Sequence, residues 1–195
     1  PTPLLAGVMR YLVLNPYWNL PQDLVRLRVA PRAGEAPVKT FADQGLEALE
    51  DWSADARVVD PARVDWAAVR QGARRIRVRQ RPGPDNMMGR GKFMLPNSLG
   101  IYLHDTPDRA LFGARRRTFS AGCVRVENAG ALTRWLTGSP LPEGSRGAGE
   151  QRVDLARPVP VFLLYKTVEP RAGGGLVLGP DPYEWDPRPQ PRRDG

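Results

Sequence analysis

The chain has 195 residues, 41% hydrophobic and 26% charged, a balance that excludes wholesale disorder and fits one domain-sized globular protein. Its formal charge is +8, and only three of its 29 basic residues are Lys, so the charge is carried by Arg; 21 Pro and 20 Gly make it turn-rich. One Cys and one His exclude an internal disulfide and a zinc site built from several Cys and His ligands, and no apolar run approaches the roughly 18 residues of a membrane span.

In chain order, the first strand is predicted at residues 9–14, an apolar run bounded by turn residues. Residues 20–72 change to short helical pieces: 41–44 stopping at Gly45, and 65–71 stopping at Gly72, each with Gly where a helix C-terminus favours it. This stretch reads as an insertion between strands. Further strands are expected at 76–80 and 99–104. A helix capped by Asn128 places Leu132, Trp135 and Leu136 on one face and ends at Gly138. Residues 139–151 read as a surface loop, 159–168 as a strand, and the Gly run ending at Gly175 as a hairpin connection that pairs this strand with 176–178 at a sheet edge. The Pro-rich residues 180–195 read as a tail. The fold class expected is therefore mainly β with a few short helices, an α+β domain over 1–179. With Pro1 first, any targeting segment is expected to lie ahead of this sequence.

The only His ends Gly100-Ile101-Tyr102-Leu103-His104, and the only Cys sits in Ser120-Ala121-Gly122-Cys123-Val124-Arg125-Val126. If both runs are extended, Ile101, Leu103, Val124 and Val126 face the core, leaving Tyr102, His104, Cys123 and Arg125 on the accessible side. A free thiol is only a few per cent ionised at neutral pH, and an imidazole that takes its proton yields the nucleophilic thiolate. Gly122 has no side chain to obstruct a substrate carbonyl, so backbone N–H groups here suit an oxyanion hole. A lone Cys is equally at home as a small buried hydrophobe, and a lone His as a structural residue. Residues 82–93 contain Gly91-Lys92 but have Asn86 and Phe93 where a phosphate loop needs Gly and Ser or Thr, which rejects that motif.

His104, a spacer of 15 residues and Ser120-Ala121-Gly122-Cys123 resemble the His, spacer, [Ser/Thr]-His-Gly-Cys signature of the YkuD-type L,D-transpeptidases. Arg10-Tyr-Leu-Val-Leu-Asn-Pro-Tyr-Trp-Asn-Leu-Pro21, Pro82-Gly-Pro-Asp-Asn-Met-Met-Gly-Arg-Gly-Lys-Phe93 and Ile101-Tyr-Leu-His-Asp-Thr-Pro107 resemble the YcbB-like subgroup. Ala121 replaces the second His of the signature, as that subgroup also does, leaving His104 as the base.

The resemblance implies a β-sandwich with residues 20–72 as a capping lid. It also implies a peptidoglycan L,D-transpeptidase in which Cys123 attacks the diamino acid–D-Ala amide of a tetrapeptide stem. His104 moves the proton, D-Ala leaves, and an amine of a second stem resolves the thioester. Donor and acceptor stems are the implied partners, carbapenem-type compounds the implied inhibitors, and the bacterial periplasm or envelope the implied location. No cofactor, metal or nucleic acid is called for, and membrane association belongs to regions outside this sequence.

Tyr102 reads either as a hydroxyl donor to the oxyanion or as a pocket wall, and Arg125 as a fork of donors for a substrate carboxylate. Ser120 reads as shaping the turn before the nucleophile. Asp105 adjoins His104, yet strand neighbours point to opposite faces, and family members hold this His by a backbone carbonyl more often than by a carboxylate. Asn86 and Gly89 read as loop architecture. Trp18, Trp52 and Trp66 read first as packing, and Arg115, Arg116 and Arg117 as a solvated cluster or an attraction for anionic glycan. An L,D-carboxypeptidase using the same thioester, and a non-catalytic basic module binding cell wall or nucleic acid, are the alternatives.

Overall fold

The structure, a computed structural model, describes residues 1–120, 122–142 and 149–186. The expected loop therefore falls outside the described residues at 143–148, and the expected tail at 187–195.

The half that carries His104 and Cys123 is built on β1 (Leu5–Leu14), β6 (Gly91–Met94), β7 (Leu103–His104), β8 (Val124–Arg125) and β9 (Gln151–Leu163). They form a five-stranded sheet in the order β8-β7-β6-β1-β9. All neighbours are antiparallel except β7 and β8, which run parallel. Met9 and Leu12 reach one face across a register shift between Met9 and Tyr11, and there they pack with Phe93, Leu155, Ala129 of α5 (Ala129–Thr137) and Leu141. The helix is capped as its sequence predicts: Asn128 Oδ1 accepts from Ala131 N–H at 2.9 Å, and Gly138 takes the left-handed conformation at φ 74°.

A second core lies in residues 18–80, where β2 (Trp18–Asn19), β3 (Leu46–Leu49), β4 (Val58–Val59) and β5 (Arg77–Gln80) form a four-stranded sheet in the order β2-β5-β3-β4. The helices α1 (Gln22–Leu24), α2 (Ala30–Glu35), α3 (Pro37–Asp43) and α4 (Trp66–Gln71) cover it. Val25, Val29, Phe41, Trp66 and Val78 interlock between these layers. Asp65 caps α4, and Gly72 ends it at φ 82°.

The two halves are joined by residues 15–17 and 81–90, and Asn86 ties these strips together. Its side chain is 1% exposed; Nδ2 donates to the carbonyls of Pro16 at 3.0 Å and Arg81 at 2.9 Å, and Oδ1 accepts from Met88 N–H at 2.7 Å.

The architecture is mainly β with short helices, as expected, but several boundaries differ. The long strand runs Gln151–Leu163 rather than 159–168, because its first half pairs with β1 through Leu14↔Gln151 to Tyr11↔Asp154. Pro158 and Pro160 do not end it, since β9 is a sheet edge where a missing N–H costs no ladder bond. The Gly hairpin joins β10 (Val168–Pro170) to β11 (Leu176–Leu178) as a separate two-stranded sheet. Of residues 99–104 only Leu103–His104 pairs, because Gly100 turns at φ 65°. Trp135 is 70% exposed, so only Leu132 and Leu136 of the expected face reach the core.

Candidate active site

Parallel pairing of β7 with β8 brings the two motifs together. Leu103 registers with Val124 and His104 with Arg125, while Val124 N–H donates to the Tyr102 carbonyl at 3.2 Å and Val126 N–H to the His104 carbonyl at 2.8 Å. Alternation then places Tyr102, His104, Cys123 and Arg125 on one face, where all four line a cleft of about 790 Å³. Its opposite wall comes from the helical half, through Trp18, Leu20 and Leu24.

His104 is 3% exposed, deeper than the alternation alone suggested. Its Nδ1 lies 2.5 Å from the Asp105 carbonyl oxygen. A carbonyl only accepts, so Nδ1 carries the proton and Nε2 keeps the basic lone pair. Burial, opposed by that hydrogen bond and reinforced by the charges of Arg125 and Lys92, pushes the imidazole below its ordinary 6.5. The ring is neutral at pH 7.

Cys123 is half-buried and free, with Sγ 3.9 Å from the Gly100 carbonyl. Burial, followed by the charge and hydrogen bond of Cys123, pushes the Tyr102 phenol far above its ordinary range, so it stays protonated as a donor. Its hydroxyl also reaches Met88 Sδ at 3.4 Å, and its ring meets His104 edge-on at 6.0 Å. Gly122 adopts φ 129°, and a Cβ there would lie 3.3 Å from Ile101 Cδ1, which explains glycine at this position. Its N–H donates to Ser120 Oγ at 3.2 Å, so this amide is engaged in the turn rather than directed at a substrate oxygen. Ala121 lies outside the described residues.

The model of the YkuD family, the L,D-transpeptidase catalytic domain, matches residues 1–161. The chain belongs to this family. It is also similar to a Haemophilus influenzae protein named "Putative L,D-transpeptidase", 34% identical over 195 residues. That alignment covers 95% of this chain and 38% of that protein, so the chain spans well under half the length of its curated relative.

Two features of this YkuD domain escaped the sequence reading. Lys92, noted only as the Lys of a failed phosphate loop, is paired across β6–β7 with His104. Its side chain is 12% exposed; Nζ donates to the Tyr17 carbonyl at 3.0 Å, lies 3.6 Å from Glu150 Oε1, and stands 5.8 Å from the Tyr102 ring centre. Burial pushes this ammonium below its usual range, against the pull of Glu150 and Cys123. Period-2 alternation through Gly91-Lys92-Phe93 carried the signal, since a lysine next to a buried phenylalanine faces the side of His104.

The second is the use of the Asp105 side chain. Its carboxylate accepts from Arg90 N–H at 2.9 Å and from Arg109 Nη2 at 2.8 Å, and Arg109 also donates to the Glu127 carbonyl. Gly89, at φ 58°, passes so close that a Cβ would lie 2.5 Å from this carboxylate. The backbone oxygen of Asp105 thus meets His104 while its side chain pins the same residue from behind.

The other singled-out residues scatter. Trp66 is buried in the helical half with Nε1 donating to the Pro61 carbonyl at 2.8 Å, Trp52 is exposed, and Trp18 alone of the three lines the cleft. Arg115, Arg116 and Arg117 are exposed and do not line it. Among the described residues, no three His, Cys, Asp or Glu side chains gather as for a metal, and no helix is long and apolar enough to cross a membrane.

Proposed function

We propose that the domain is a cysteine-dependent peptidoglycan L,D-transpeptidase of the bacterial cell envelope. The observation that carries this reading is one cleft holding Cys123, Tyr102, Arg125 and a His104 whose Nδ1 is committed to a backbone carbonyl.

Neutral His104 takes the thiol proton on Nε2, and the thiolate attacks the amide carbonyl joining the diamino acid to D-Ala. The protonated Tyr102 hydroxyl donates to the oxyanion. Gly122 N–H joins it only by leaving Ser120 Oγ. As the tetrahedral intermediate collapses, the imidazolium returns its proton to the departing amine, so D-Ala leaves neutral at nitrogen and the thioester remains. An amine of a second stem then attacks, His104 removes its proton, and the thiolate is expelled and reprotonated. The Arg125 Nε is buried without a hydrogen-bond partner among the described residues, which suits a donor awaiting a substrate carboxylate. Asp105, with Arg109 and Arg90, holds the carbonyl that orients His104, and residues 20–72 act as a lid whose inner face is one cleft wall.

Intact-mass measurement after incubation with disaccharide tetrapeptides tests the reading. An acyl adduct on Cys123, D-Ala release and cross-linked dimers are expected, and Cys123→Ala abolishes all three. Cross-links formed by Cys123→Ala would overturn it; hydrolysed tripeptide without dimers would make the enzyme a carboxypeptidase. A covalent carbapenem adduct on the same thiol is also expected.

A further inference from the structure

Residues 22–35 form one continuous helical rod: α1, a π-helical turn over Val25–Val29, and α2. Pro31 accounts for the π turn. It has no N–H, and its ring collides with the carbonyl four residues earlier in a regular α-helix, so the preceding turn widens. The rod is fixed from behind, since Val25 and Val29 are buried in the helical core and Gln22 Nε2 donates to the Ile76 carbonyl at 2.9 Å. Leu24 and Arg28, four residues apart, are thereby presented to the catalytic cleft. Arg26 runs the other way, its Cδ 3.8 Å from where a Gly72 Cβ would stand.

The charge pattern is one-sided. The chain has 21 acidic residues, yet the cleft is lined by Arg28 and Arg125 and by no Asp or Glu among the described residues. No ion pair or hydrogen bond engages the Arg28 guanidinium among them. An unpaired planar fork on a rigid support, in a cleft without carboxylates that Trp18 and Leu24 also line, suits a carboxylate on a peptide whose apolar parts lie along the wall.

We propose that Arg28 is a specificity residue that binds a carboxylate of the peptidoglycan stem on the lid side of the cleft, opposite the carboxylate taken by Arg125. This rests on the transpeptidase reading. Its test is the kinetics of Arg28→Gln beside Arg26→Gln, which removes the same charge two residues away. Each variant is assayed with stems bearing free or amidated carboxylates, and donor and acceptor are varied separately to show which stem is held. For Arg28→Gln, KM for the free-carboxylate stem is expected to rise roughly tenfold with kcat within about twofold. Arg26→Gln should match the wild type, the amidated stem should not distinguish Arg28→Gln from it, and iodoacetamide alkylation of Cys123 should be unchanged. An unchanged KM in Arg28→Gln, or an equal rise in Arg26→Gln, overturns the proposal while leaving the transpeptidase intact. If the wild type gives no product, the transpeptidase reading fails instead. Calorimetry of the same stem on Cys123→Ala, with and without Arg28→Gln, then decides the carboxylate site: weaker binding without Arg28 upholds it, and equal binding overturns it.

Discussion

Nδ1 of His104 faces the main-chain oxygen of Asp105 at 2.5 Å, and the Asp105 carboxylate is in turn held by Arg109 at 2.8 Å. The imidazole is thus oriented by a neighbour's backbone, and that backbone by the neighbour's own side chain. Asp105→Asn keeps the volume and removes the charge, so it is expected to lower kcat about tenfold or more with little change in KM, and to cost about 1–3 kcal/mol in denaturant unfolding. Equal kcat in the variant would remove Asp105 from the positioning role.

Gly89 allows that carboxylate its place. Gly89→Ala puts a Cβ 2.5 Å from the Asp105 carboxyl group at a backbone φ of 58°. We expect a loss of about 1–3 kcal/mol and a fall in kcat, read by thermal unfolding and by single-turnover acylation.

The imidazole supplies a pH signature. Its folded pKa lies below the ordinary 6.5, so in the window between the two values the unfolded chain binds more protons than the native one. Stability is therefore full above 6.5 and falls as the pH drops through that window, and His104→Gln flattens the dependence. The acid limb of kcat/KM is expected below 6.5 for the same reason.

Lys92 bears on that limb. Its charge is among those holding His104 low, so Lys92→Met should move the acid limb upward, towards the ordinary imidazole value. The change also leaves the Tyr17 carbonyl without its donor, at a cost of about 1–3 kcal/mol. A limb that stays in place would limit Lys92 to this structural bond.

Tyr102→Phe isolates the hydroxyl. The sulfur of Met88 is a weak acceptor, so the fold should lose under about 1 kcal/mol, whereas acylation should slow by about 10²-fold if the hydroxyl meets the oxyanion. Rapid-mix mass spectrometry of the acyl-enzyme separates these effects.

Local rules made much of this domain legible in its sequence. Asn128 and Gly138 bounded α5, Asp65 and Gly72 bounded α4, and alternation around His104 and Cys123 put the four site residues on one face, because caps and strand periodicity depend on near neighbours. The sequence did not disclose the helical rod at 22–35, which contains the poor helix formers Pro31 and Gly34 and is held by packing on the Val25 and Val29 core. Nor did it disclose β9, whose first half is a strand only because β1 is there to pair with it.

By itself, then, the sequence determined a basic, mainly β domain with a single thiol and a single imidazole, and the family signature that joins them. Which carbonyl orients the imidazole, which lysine sits across from it, and that Arg28 joins Arg125 in the cleft were decided by the tertiary structure. The reason is physical: the lysine and the arginine are placed by strand register and by the burial of groups far apart in the chain, such as Lys92 and Tyr17, which no local pattern encodes.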